Sequence, residues 1–216
     1  MKNLVYVFVG GMGPRAGSHL YNQFHYAIEK ELGGGFVDTD FPDSVLITVP
    51  AREEEPYSGR FGLDLSMLEM QLQQLSQHYQ HVIVVPLCVT VSDAIKAVCE
   101  ECSVEHRTIL DFIRGRFPNG ATLICSDALA QQGEQDPAHT YVPCGRVISS
   151  YYKPHAAWSV QRLITNLIDE DGAHEPVVLA CTELSAIQGI ESVRVLDAPM
   201  MFIRNLAKEY VRAYRR

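Results

Sequence analysis

The sequence predicts a doubly wound α/β protein built on parallel strands. Three observations predict it. Short, continuous apolar runs recur along the chain, as strands covered on both faces require. Apolar residues at helical spacing lie between those runs. The first run stops at Gly10-Gly11-Met12-Gly13-Pro14, a tight turn that places Pro14 in a first helical turn.

In chain order, Asn3 to Val9 is apolar, β-branched and aromatic, and reads as the first strand. Ser44 to Val49 reads as the second. Leu65, Leu68, Leu72, Leu75 and Tyr79 then mark one face of a helix, and His81 to Leu87 is the next buried strand. Ala121 to Cys125 is a strand followed by a turn at Ser126-Asp127, and Gly133 to Cys144 reads as a surface loop. A helix is expected over 154–168, where Ala157, Val160, Ile164 and Leu167 share a face. Strands follow at Pro176 to Ala180 and Arg194 to Leu196, and Phe202, Leu206 and Tyr210 mark the last helix. The element order repeats. Residues 1–103 and 104–197 read as two similar α/β halves, with the helix in 198–216 packing back on the first. A doubly wound sheet places its ligand site outside the carboxyl ends of its strands. Gly10 to Pro14, Cys88, Ser126 and Cys181 all fall at such ends.

Composition narrows the function without choosing it. The chain has 216 residues, enough for one substantial core or two small ones, and a formal net charge of −8. Binding a phosphate backbone needs clustered Lys and Arg, and the one basic cluster is Arg212, Arg215 and Arg216, so nucleic acid is set aside. No apolar run approaches the ~18 residues of a membrane helix. Six cysteines at irregular spacings, without a secretory leader, read as reduced thiols and point to the cytoplasm.

Two of those thiols stand out. Cys88 in HVIVVPLCVTVSDAIKAV and Cys181 in EPVVLACTELSAIQ each follow an apolar strand, have a threonine within two residues and begin a helix. Either cysteine alone reads as a small buried hydrophobe ending a core strand; the pairing favours chemistry. Two monoprotic groups on opposite sides of a carbon can remove a proton from one face and return one to the other. A thiol of pKa ~8.5 is only about 3% ionised at pH 7. A helix N-terminus supplies ~0.3–1 kcal/mol, rarely ~2, so further help is needed from Thr90, Thr182, backbone amides or a substrate ammonium.

These residues resemble the cofactor-independent aspartate/glutamate racemase superfamily. Gly10-Gly11-Met12-Gly13-Pro14 is similar to its strand-turn signature, and Ala180-Cys181-Thr182-Glu183-Leu184 to its second-cysteine motif; Pro86 to Thr90 is similar to the first-cysteine motif. The resemblance spans residue 4 to about residue 197. It implies two α/β halves related by a pseudo-twofold axis with the active site in the cleft between them. It further implies a homodimer, no pyridoxal phosphate, no metal, and Cys88 and Cys181 as the catalytic acid–base pair. It places Thr90, Thr182 and Glu183 beside the thiols, and Met12, Gly13, Val89, Ser126, Arg52 and Lys153 around the substrate, the last two for its carboxylates. The expected activity is racemisation of an amino acid, aspartate or glutamate by default.

The sequence departs from that family around the first cysteine and after Arg52. Val89 stands where the family has Asn, Ser92 or Asp93 stands near its His, and Glu53-Glu54-Glu55 follows Arg52, a run that reads as a solvated face or, beside a substrate loop, as favouring a cationic or bulkier polar side chain. Two further readings stay open: a maleate isomerase-like or decarboxylase-like enzyme acting on a dicarboxylate through one cysteine, and a non-catalytic amino-acid-binding regulator. Gly11-x-Gly13-x-x-x-Gly17 has the wrong spacing for a dinucleotide fingerprint. Cys99-Glu100-Glu101-Cys102 with His106 lacks the second ligand pair of a zinc site, and reads as exposed helix thiols.

Overall fold

The computed structural model describes residues 3–10, 14–49, 51–53, 61–132, 137–145, 148, 162, 164–166, 169, 176–187 and 195–215. The first sheet contains β1 (Leu4–Gly10), β2 (Asp43–Thr48), β5 (His81–Pro86) and β6 (Glu105–His106), in the order β2-β1-β5-β6. The second contains β7 (Thr122–Cys125), β8 (Thr140–Pro143), β9 (Val177–Leu179) and β10 (Leu196–Asp197). To keep both orders comparable, the second is read from its β8 edge as β8-β7-β9-β10. Every pairing within the two sheets is parallel. In each sheet the first strand pairs with the second on one side and the third on the other, and the fourth lies beyond the third. The two sheets therefore repeat one winding.

Among the described residues, the helices whose bounds are defined are α1 (Pro14–Leu32), α2 (Ser66–His78), α3 (Ser92–Glu101), α4 (Ile109–Arg116), α5 (Asp127–Gln132), α6 (Thr182–Ser185) and α7 (Ala198–Tyr214). Their starts follow the sequence. Thr108 caps α4 by accepting from the Asp111 amide at 3.0 Å, and Asp197 caps α7 by accepting from the Met200 amide at 3.0 Å, with Pro199 in the first turn. The Gly-rich turn has a packing use as well: a Cβ on Gly10 would lie 3.5 Å from Gly17 Cα, so β1 and α1 approach through two glycines.

Because strand side chains alternate, β1 feeds two cores. Val5, Val7 and Val9 point into a cluster with Leu68, Leu72 and Ile95. Tyr6 and Phe8 point the other way, into a cluster with Leu20 and Phe24 of α1, Phe202 and Leu206 of α7, and Leu123, Cys125 and Val178 of the second sheet. That second cluster joins both sheets in one core. Helix α7 lies against α1, with Tyr210 Oη donating to the Asp40 carbonyl at 3.0 Å.

Two expectations need correction. The stretch read as a loop over 133–144 contains β8, whose Thr140 to Pro143 pair with Thr122 to Cys125. Thr140, Tyr141 and Val142 favour a strand, but the run is short and ends at Pro143, so pairing with β7 decides; Pro143 is tolerated because β8 is a sheet edge. After β2, β3 (Ala51–Glu53) pairs antiparallel with β4 (Phe61–Leu63) and sets Arg52 opposite Gly62. Cys99 is fully buried and Cys102 half-buried, not exposed, because α3 turns that face toward α2 and β1. Of the helix expected over 154–168, residues 162 and 164–166 are helical and the others lie outside the described residues. Arg194 lies outside them too.

Candidate active site

Cys88 lies two residues past the end of β5, and Cys181 two residues past the end of β9. These are the equivalent third strands of the two sheets. Their backbones match closely: Cys88 has φ −128 and ψ 120, Cys181 has φ −134 and ψ 118. Each precedes a helical turn that begins at the next residue, Val89 or Thr182, and each is only 4% exposed. One local fold thus presents a thiol twice. The thiols are close enough to interact electrostatically, and Cys88 also feels Glu183.

The surroundings of the two thiols differ. The Thr90 and Val91 amides hydrogen-bond Cys88 and favour its thiolate, while Ser92 Oγ donates to the Cys88 carbonyl at 3.1 Å. Thr90 Oγ1 lies 2.7 Å from Ser126 Oγ, a hydroxyl pair that crosses from the first sheet's end to the second's. Ser126 Oγ also accepts from the Leu129 amide at 3.2 Å. On the other side, Cys181 Sγ donates to Glu183 Oε2 at 3.4 Å, and Thr182 Oγ1 donates to the same oxygen at 3.3 Å. The Leu184 amide favours the Cys181 thiolate.

Burial outweighs those amides. Desolvation first, then the Glu183 charge, pushes Cys88 up to about 12. The neighbouring Cys144, then burial, raises Cys181 well above the usual thiol range. Burial also raises the Glu183 carboxyl. At pH 7 a thiol of pKa about 12 is ionised in roughly one molecule in 10^5. Both thiols are therefore neutral at pH 7, and a thiolate base requires a positive charge beside it.

Sequence reasoning placed Cys88, Val89, Thr90, Ser126, Cys181, Thr182 and Glu183 around the site, and the strand ends bring these together. Met12, Gly13 and Lys153 lie outside the described residues; Arg52 sits in β3. Two neighbours were missed. Cys144 follows β8 and is buried in the same cluster as Cys181, and Cys125 ends β7 close enough to Cys181 for the two to interact electrostatically. The signal for Cys144 was hidden, because its strand was read as a loop.

No family model and no curated protein matches the sequence. Solved structures do match the fold. An aspartate racemase homologue from Pyrococcus horikoshii OT3 superposes with a TM-score of 0.63 at 19% identity, covering 97% of this chain and 99% of that one. A putative Asp/Glu racemase from Yersinia pestis gives 0.59 at 13% identity, covering 98% of this chain and 100% of that one. Glutamate racemase from Campylobacter jejuni subsp. jejuni gives 0.53 at 12% identity, covering 95% and 85%. The chain has the fold of the aspartate/glutamate racemases. Within this racemase fold, the described residues include no helix long and apolar enough to cross a membrane, and no group of three His, Cys, Asp or Glu able to hold a metal ion.

The buried acids of this racemase fold predict a stability profile. Burial raises Cys88, Cys99 and Cys125 from an ordinary 9.0, and Tyr6 and Tyr210 from 10.0, each to about 12. The folded state holds these protons more tightly than the unfolded chain. Their contribution is therefore complete below about 9 and is lost as pH rises toward about 12. Thermal melts by circular dichroism, in reductant, are expected to show Tm falling continuously across that window; a flat profile would contradict the burial of these groups.

Proposed function

We propose that this protein is a cofactor-independent amino-acid racemase, with aspartate or glutamate as default substrates and Cys88 and Cys181 as the acid–base pair. The observation that carries the reading is the repeated placement of the two thiols, on the same backbone conformation at equivalent strand ends of two identically wound sheets. An α-carbon held between them has one proton removed by a thiolate and another delivered by the opposite thiol, with the roles exchanged for the other enantiomer. The substrate ammonium supplies the positive charge that the buried thiols need in order to ionise. Thr90 and Ser126 offer hydroxyls to a carboxylate; Thr182 and Glu183 orient Cys181; Val89 bounds the pocket. Met12, Gly13, Arg52 and Lys153 complete the substrate site, with the two cations holding carboxylates. The working protein is a cytoplasmic homodimer whose halves, 1–103 and 104–197, enclose the site.

The test is proton NMR in heavy water with a panel of L- and D-amino acids that includes both enantiomers of aspartate and glutamate. The α-proton signal of one amino acid is expected to vanish from either enantiomer while the other enantiomer appears. Absence of exchange across the panel would overturn the reading.

A further inference from the structure

The racemase reading uses two thiols, yet a third lies against the second of them. The Cys144 amide donates to the Cys125 carbonyl at 2.7 Å, which fixes Cys144 on one flank of β7. The Ala180 amide donates to the Ile124 carbonyl at 2.8 Å, which fixes the strand leading to Cys181 on the other flank. The registers pair Cys125 with Pro143 and Ile124 with Leu179, so positions 144 and 181 fall level with Ser126. There β7 has ended, and the chain turns into α5 at Asp127. Ser126, between them in that row, turns its hydroxyl to Thr90 and the Leu129 amide. Their side chains share one face, in a cluster with Ile124, Leu179 and Leu184, while Cys125 alternates to the opposite face. The Cys144 and Cys181 side chains are both buried in that cluster, and Cys144 is the neighbour that most strongly raises Cys181.

We propose that Cys144 and Cys181 form a dithiol site in the crevice that takes a bridging thiophile of the trivalent arsenoxide class. Soft thiolate ligands suit a soft centre, and two thiols already buried in one cluster lose little freedom on being bridged. In the step, both S–H bonds break and two arsenic–sulfur bonds form. The arsenoxide oxygen leaves as water with the two thiol protons, and arsenic keeps its oxidation state. The proposal stands apart from the racemase reading, because its readout is bound mass and not turnover. A rival pair exists: Cys99 and Cys102 also feel each other's charge, although Cys102 Sγ is turned toward the Glu69 carbonyl, at 4.0 Å.

The probe is phenylarsine oxide on the full chain, read by intact mass spectrometry in a Cys99→Ser/Cys102→Ser background. One phenylarsenic group per chain is expected, removable by a dithiol and resistant to a monothiol. Adding Cys144→Ser, Cys144→Ala or Cys181→Ser is expected to weaken binding at least tenfold; adding Cys125→Ser leaves it unchanged. Wild-type protein gives a check that needs no variant: after arsenoxide treatment, unfolding and alkylation, residues 144 and 181 stay unlabelled while 88 and 125 are labelled. Binding that survives Cys144→Ser and Cys144→Ala would overturn the proposal. So would absence of binding in the double background, or protection of any other pair of cysteines.

Discussion

Cys88→Ser and Cys181→Ser are each expected to lower racemisation by about 10^2- to 10^4-fold in both directions, while each leaves α-proton exchange from one enantiomer, and a different one in each variant. The magnitude is what a positioned acid or base contributes. The asymmetry follows from geometry. Racemisation needs both faces served, so either loss stops it; exchange needs one base that removes a proton and returns one from solvent, so a single remaining thiol suffices on its own face. The substitution is mild for the fold. It replaces sulfur by oxygen at positions that keep hydrogen-bond partners, namely the Thr90 and Val91 amides for residue 88 and Glu183 for residue 181. Chiral chromatography measures interconversion, and proton NMR in heavy water measures exchange, on the same samples. If one variant loses everything and the other nothing, a single cysteine does the chemistry and the two-thiol mechanism fails. If both lose exchange from both enantiomers, the thiols act as a unit and not face by face.

The fold was legible wherever a strand carries its own signal. β1, β2, β5, β7 and β9 are apolar runs long enough to declare themselves, and the two cysteines were found because each terminates such a run. What escaped was held by partners rather than by pattern. β8 is Thr-Tyr-Val-Pro at a sheet edge, three strand-formers too short and too close to Pro143 to outweigh the loop signals before them, and with it went Cys144, whose place depends on the pairing with β7. β3 and β4, three residues each, pair only with one another. The ionisation of the site also escaped. The sequence correctly offers helix-end amides to each thiol, but it does not reveal how deeply each is buried, and burial reverses the sign of the net shift. That reversal means that a thiolate at either position needs a positive charge beside it.

Phe24→Ala is expected to cost about 3–5 kcal/mol of folding stability, a large share of the roughly 5–15 kcal/mol available to a domain. Phe24 is fully buried, one helical turn from Leu20 and one from Ile28 on the inward face of α1. Its ring lies 5.0 Å from Tyr6 and 4.9 Å from Phe8, centroid to centroid, both on the same face of β1. Tyr6 in turn meets the Tyr210 ring of α7 edge-on at 6.3 Å. Truncating Phe24 therefore opens a hole where α1, β1 and α7 converge, in the cluster that also receives Leu123 and Val178 from the second sheet. A rigid aromatic cluster spanning three elements collapses poorly, which puts the cost in the upper part of the range for such truncations. Tm should fall by about 10 °C for a chain of this size, and urea titration should show a lower midpoint. The catalytic residues proposed above touch none of these rings, so α-proton exchange per folded molecule is expected to stay at the wild-type rate below the new transition. A loss within about 0.5 kcal/mol, the scale of a surface change, would mean that α1 does not lock the first sheet to the second. The common core that joins the two sheets would then have to lie elsewhere.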